Sequence, residues 1–338
     1  MIEKPTVLVL GAGASYDYGF PTGRRLLVNA CADILNRSYD GTGRPVSTPD
    51  TPLQRSLIEC GFSWDEIVSF VNKLRDSNQP SVDEFVANQP DYVEIGKALI
   101  ASVILSSERG GSLKRTRDMR WFEYLFQRMT NAMDFVPTDF VHNDLSVVTF
   151  NYDRSFEMLL WRSLTNSYPM SNSEHIGLFN SIPIVHVYGS LGDLPFQSED
   201  GISYGSQPNA TTVRQCMNNI QIIERRRRFS SSTTSADVPK HVEIFRNADK
   251  ICFLGFGYNP TNMNLLRIHP IWRVFVSRQN TMYGTAFGRE DFEIREAKQH
   301  IMEGIEEAGE GRLIIEKKKC LEMLRTHPIL SSLPDVPT

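Results

Sequence analysis

The stretch Val7-Leu8-Val9-Leu10-Gly11-Ala12-Gly13-Ala14-Ser15 decides the fold. Four apolar residues in a row read as a strand buried on both faces. The glycines that follow turn the chain toward a helix-compatible stretch from Gly23 through Leu35. Doubly wound α/β proteins use such a strand, turn and helix to bring backbone N–H groups and a helix N-terminus to the phosphates of a nucleotide. The stretch therefore predicts nucleotide binding. It departs from the ordinary dinucleotide fingerprint at Tyr16, where a third glycine is expected and a bulky ring would obstruct close helix–strand packing. That departure disfavours a hydride-transferring dehydrogenase.

Working outward, further strand-like runs occur at residues 146–150, 182–188 and 251–256, each near-continuously apolar and each ending in glycine or a polar turn residue. The fold class predicted is α/β: a doubly wound, mostly parallel Rossmann-like sheet within a single domain, residues 1–338. The core falls at 5–35 and 141–290. Apolar residues at helical spacing over 53–74, 82–105 and 121–133 predict a helical insertion, residues 36–140. The stretch from 291 to 338 reads as amphipathic helices, with residues 312–315 as a candidate edge strand.

The 338 residues, 41% of them hydrophobic, suffice for a sizeable core. A formal net charge of −4 supplies no basic field, so direct nucleic-acid binding is not expected. Five scattered cysteines with no CxxC pair fit reduced thiols and offer no zinc spacing, so no metal is expected. No apolar run approaches a membrane span, and no signal peptide is evident, which points to a cytoplasmic protein with no membrane partner. A helical pattern from 211 to 228 ends in Arg225-Arg226-Arg227-Arg228, followed by a serine–threonine run at 230–235 that reads as a flexible loop. Such a basic run is more often a solvated helix end than a phosphate contact.

Three segments fall where strand ends line a nucleotide crevice: Thr149-Phe150-Asn151-Tyr152-Asp153, His186-Val187-Tyr188-Gly189-Ser190-Leu191 and Gly255-Phe256-Gly257-Tyr258. Together with Gly11-Ala12-Gly13-Ala14-Ser15 and Gly19-Phe20-Pro21, and in this order, they resemble the sirtuin family, in the divergent branch found as NAD-consuming effectors of bacterial antiphage defence. The resemblance spans roughly residues 6 to 290. Ser81-Val82-Asp83-Glu84-Phe85 also resembles a segment common in the insertion of this branch. The paired cysteines of the zinc module of protein deacetylases are absent, which argues against an acetyl-lysine deacylase.

The resemblance implies an NAD glycohydrolase, with NAD as substrate, acting in abortive infection. It implies a diphosphate cradle at Gly11, Ala12, Gly13, Ala14 and Ser15. Phe20 and Pro21 would close over the nicotinamide. Asp153, Tyr188, Gly189, Ser190, Gly255, Phe256 and Gly257 would complete the nucleotide site. The catalytic pair it implies is Asn151, positioning ribose and water, with a base. The family's histidine normally stands directly before the Gly-Ser turn, where this chain has Tyr188. His186 lies two residues earlier, on the same face if the strand continues, and its ordinary pKa near 6.5 suits a base better than that of a tyrosine. Which of the two acts stays open. Asn151 as a plain turn residue, Asp153 as the N-cap of a helix over 154–164 and His186 as a core histidine are the structural alternatives. A non-catalytic subunit binding NAD or ADP-ribose is the alternative function. Control would come from homo-oligomerisation, from a sensor protein of the same operon or from a small nucleotide signal, with apolar residues over 64–74 and from Phe292 onward as contact surfaces.

Overall fold

The computed structural model describes residues 1–35, 51–110, 113, 116–222, 239–302 and 311–333. Six strands, β1 (Thr6–Leu10), β2 (Leu145–Thr149), β3 (Ile184–His186), β4 (Lys250–Leu254), β5 (Thr281–Thr285) and β6 (Leu313–Glu316), form one sheet in the order β3-β2-β1-β4-β5-β6. Every pairing is parallel. Helices flank the sheet, as a parallel sheet buried on both faces requires. The chain runs outward from β1 in one direction, then returns and runs outward in the other. The order therefore reverses between β1 and β4, the place where open α/β sheets form a ligand crevice. All five residues of β1 and all five of β4 are buried.

Register fixes the crevice. Leu10 lies beside Thr149 on one side and Leu254 on the other, so the loops after β1, β2 and β4 leave the sheet at one level. Thr149 is in turn beside His186.

Between β1 and β2 come α1 (Gly23–Leu35), α2 (Pro52–Glu59), α3 (Trp64–Asp76), α4 (Val82–Val86), α5 (Val93–Gly110) and α6 (Trp121–Thr130). Helix α1 begins and ends where the sequence predicts, and α2 to α6 form the helical insertion. Thr51 and Ser63 close capping boxes with Gln54 and Glu66, which is why the single apolar pattern over 53–74 breaks into two helices. Ile67, Phe70, Val71 and Leu74 of α3 are all buried, and α3 packs on α1. The apolar surplus over 64–74 is thus core rather than a contact surface. Phe292, by contrast, is largely exposed.

Helices α7 (Ser155–Ser167) and α8 (Asn172–Asn180) join β2 to β3. Then come α9 (Ala210–Asn219) and α10 (Lys240–Asn247) before β4, α11 (Pro260–Leu266) and α12 (Ile268–Ser277) before β5, α13 (Asp291–Met302) before β6, and α14 (Cys320–Thr326) after it. The helix expected over 211–228 ends at Asn219, and the chain then bridges at Ile220 to Gly189. The four arginines and the serine–threonine run lie outside the described residues. Among the described residues no helix is long and apolar enough to cross a membrane.

Candidate functional site at the strand ends

The glycines of the first loop are explained by backbone approach. A Cβ on Gly11 would lie 2.5 Å from the Gly255 carbonyl oxygen, and one on Gly13 would lie 2.8 Å from the Gly255 Cα. Gly255 has φ +58, and a Cβ there would lie 2.1 Å from the Ala14 nitrogen. The loops after β1 and β4 therefore touch main chain to main chain, with the Gly13 N–H donating to the Gly255 carbonyl at 3.0 Å. The Gly11 N–H donates to the Leu254 carbonyl, and that of Ala14 to the Gly11 carbonyl. Of the five N–H groups from Gly11 to Ser15, only those of Ala12 and Ser15 make no hydrogen bond among the described residues. The capacity of this turn for an anion is two donors rather than five.

The turn does not feed a helix directly. A short 3-10 turn, Tyr16–Tyr18, follows Ser15, and α1 starts only at Gly23. Tyr16 is 43% exposed with the Arg25 guanidinium over its ring, so the ring points outward and does not obstruct packing. Phe20 is 2% exposed and sits in the hydrophobic core, and Pro21 is half-buried beside it. Phe20 thus offers no face to close over a ligand, because the 3-10 turn folds it back with its N–H on the Ser15 carbonyl.

Asn151 follows β2 and is nine-tenths buried. Its main-chain N–H donates to Thr149 Oγ1 at 3.0 Å. Its Nδ2 donates to the Gly11 carbonyl at 3.1 Å and to Ser15 Oγ at 3.0 Å. A carbonyl only accepts, so the contact with Gly11 fixes which end of the amide is nitrogen. Asn151 Oδ1 is left buried with no hydrogen-bond partner. An orphaned buried acceptor costs about 1–3 kcal/mol. The buried Asp153 accepts from the Ser155 N–H at 3.0 Å and from the Ser155 hydroxyl, which lies 3.3 Å from Ser15 Oγ. Burial pushes the Asp153 carboxyl above the usual range, against these hydrogen bonds. Asp153 thus fastens the first turn of α7 from the position before its N-cap, which is Arg154 rather than Asp153.

His186 and Tyr188 are not equivalent. Strand β3 stops at His186, so the alternation that would put both on one face ends before Tyr188. The His186 ring is held at both nitrogens: Nδ1 lies 2.8 Å from the Asn151 carbonyl oxygen and Nε2 lies 2.5 Å from Glu157 Oε1. Burial disfavours its charged form, but the Glu157 carboxylate, the Asn151 carbonyl and Asp153 outweigh this and hold its pKa above the ordinary value. In this arrangement the ring has no lone pair free for a substrate. The Tyr188 hydroxyl donates to Asn262 Oδ1 at 2.6 Å, and its ring meets Phe150 edge-on, as does Phe256.

The remaining residues of the sequence-based set divide. Gly189 has φ +69, and a Cβ there would lie 1.9 Å from the Asn219 carbonyl oxygen, so its glycine serves the bridge to Ile220. Ser190 Oγ accepts from the Gly192 N–H within its own turn. Gly257 is exposed with open space around it, and its carbonyl accepts from Arg289. The residues brought together are Gly11, Gly13, Ala14, Ser15, Asn151, Asp153, His186 and Gly255.

Sequence reasoning missed Glu157, Ser155, Arg154 and Glu108. Arg154 is fully buried and paired with Glu108 of α5 through two contacts, Nε to Oε1 at 3.0 Å and a second nitrogen to Oε2 at 2.8 Å. It also donates to the carbonyls of Gly192, Asp193 and Ile202. Burial pushes the Glu108 carboxyl up even beside that cation. The available signal was the spacing Asp153-Arg154-Ser155-Phe156-Glu157, which puts one acid just before α7 and another on its first turn, close after Asn151. The insertion reaches the site twice more: Asp83 Oδ1 accepts from the Tyr152 hydroxyl at 2.5 Å, and Trp121 Nε1 donates to the Ala14 carbonyl at 2.8 Å. The site is thus walled by both the sheet and the insertion. Compared with protein-family models and with curated proteins, the chain matches none.

Proposed function

We propose that the chain is an NAD glycohydrolase, similar to the sirtuin-like effectors of antiphage defence, and that Asn151 is its central catalytic residue. The observation that carries this reading is Asn151 Oδ1, buried and unpartnered where three loops meet at the switch point of the sheet. An acceptor held there by an amide pinned at its other end fits a ribose hydroxyl or a water.

In the reaction the bond between ribose C1′ and the nicotinamide nitrogen breaks. Its electron pair goes to that nitrogen and cancels the pyridinium charge. Positive charge develops on the ribose, water adds at C1′, and one water proton leaves to solvent. Nicotinamide is a competent leaving group, so orienting the water and stabilising the cationic ribose decide the rate. Asn151 Oδ1 supplies the orientation. The N–H groups of Ala12 and Ser15 are the donors left for the diphosphate.

Asn151→Ala is expected to abolish nicotinamide release from NAD while leaving the circular dichroism spectrum and the NAD affinity nearly unchanged, because the interaction is made chiefly in the transition state. Undiminished release by the folded variant would remove the assignment. A second reading, an NAD- or ADP-ribose-binding subunit without turnover, is favoured by the occupied nitrogens of His186. Binding of NAD without release of nicotinamide, by the chain alone and together with the product of its neighbouring gene, would establish it. Control by self-association or by that partner belongs to the first reading, and light scattering of the same samples tests it.

A further inference from the structure

We propose that Glu157 and His186 are positioning residues that act as a fixed pair to set Asn151, and that neither transfers a proton in the reaction. The inference rests on the Asn151 reading and adds two residues to its machinery in a defined role. Asn151 is held at three points: its N–H by Thr149 Oγ1, its Nδ2 by the Gly11 carbonyl and Ser15 Oγ, and its main-chain oxygen by His186 Nδ1. The third hold exists only while Nδ1 carries a proton, since a carbonyl accepts and never donates. Nε2 in turn faces Glu157 at 2.5 Å. One proton lies between Nε2 and the carboxyl, whichever of the two keeps it. In either case Nδ1–H points at Asn151.

Both members are rigidly mounted. His186 is in register with Thr149 in the sheet, and Glu157 stands on the first turn of α7, which Asp153 fastens through Ser155. The groups that face the ring are Glu157 from α7, and the Asn151 carbonyl and Asp153 from the turn after β2. A ring tied at both nitrogens between a strand and a helix cannot swing to a substrate without releasing Asn151. Its function is therefore exercised through the backbone of Asn151 and the aim of Oδ1.

The test uses the full chain and its variants Glu157→Gln, His186→Leu and His186→Asn, with histidine and asparagine side chains labelled with ¹⁵N, and steady-state release of nicotinamide from NAD. In the wild type His186 Nδ1 is expected to keep its proton from about pH 5.5 to about pH 8, whichever of Nε2 and Glu157 keeps the other. In Glu157→Gln the Nδ1 proton is expected to stay, because the glutamine amide can donate to Nε2 and the Asn151 carbonyl only accepts. The Asn151 side-chain amide signals, assigned by their loss in Asn151→Ala, should therefore move little, and kcat should stay within about threefold of wild type. In His186→Leu, which has no donor for that carbonyl, the amide signals should shift and kcat should fall roughly tenfold or more with KM changed less than about twofold. His186→Asn, whose amide can donate to the same carbonyl but cannot act as a base, should regain much of that kcat. Unmoved Asn151 amide signals in His186→Leu, or no recovery in His186→Asn, would overturn the proposal. If the wild type releases no nicotinamide under any condition, the glycohydrolase reading fails by itself, and the ring and amide signals still decide whether the pair sets Asn151.

Discussion

A methyl group at Gly255 would have to occupy the space of the Ala14 nitrogen, in a backbone conformation that L-residues avoid. Gly255→Ala is expected to cost about 2 kcal/mol or more, read as a lower urea midpoint, because both strain and overpacking act on one contact. Gly257→Ala, with open space around it, should fall within about 0.5 kcal/mol of wild type. The two glycines look alike in the sequence, and only their neighbours separate them. At this scale the first loop and Asn151 were legible, since glycine after a buried strand and a polar residue at a strand end carry local meaning. Phe20 was not: an aromatic residue after a glycine turn reads equally well as a lid or as core, and packing chose core. Nor was the role of His186, because its partner Glu157 comes from a different element and no local pattern links them.

At the scale of elements, the strands after residue 140 were legible where apolar runs are unbroken, and β5 was not. Its sequence, Thr281-Met282-Tyr283-Gly284-Thr285, has a glycine at the fourth position, which lowers strand propensity; the Tyr258 hydroxyl fills the space over that glycine and donates to the Thr285 carbonyl. The joint between α5 and α7 was invisible for another reason, since Glu108 and Arg154 are 46 residues apart and each reads alone as a surface charge. Removing one partner of a buried pair strands the other. Glu108→Ala is therefore expected to destabilise the fold by about 3–5 kcal/mol in urea unfolding, whereas Glu108→Met combined with Arg154→Met should recover most of that loss. A single variant as stable as the wild type would show that the pair is not what joins the two helices.

For the molecule as a whole, raised folded-state pKa values set the trend of stability with pH. A His186 that binds its proton more tightly when folded contributes stability that is fully present below about pH 6.5 and is lost as pH rises through its folded pKa. His241, whose pKa burial lowers, works in the opposite sense but only below about pH 6.5. The thermal midpoint is thus expected to fall between about pH 7 and about pH 9, and to fall less steeply in Glu157→Gln, where His186 loses its anchor. Equal slopes for the two proteins in differential scanning calorimetry would contradict this.

The insertion contributes Asp83, Glu108 and Trp121 to contacts with Tyr152, Arg154 and the Ala14 carbonyl. In protein dissection it therefore cannot be treated as a detachable cassette. A shortened chain that joins α1 directly to β2 would lose a wall of the crevice along with the excised helices, and a graft of those helices onto another parallel sheet would arrive with two acids and one indole already committed to partners left behind. The smallest fragment worth expressing as a functional unit spans from β1 to at least β5, insertion included.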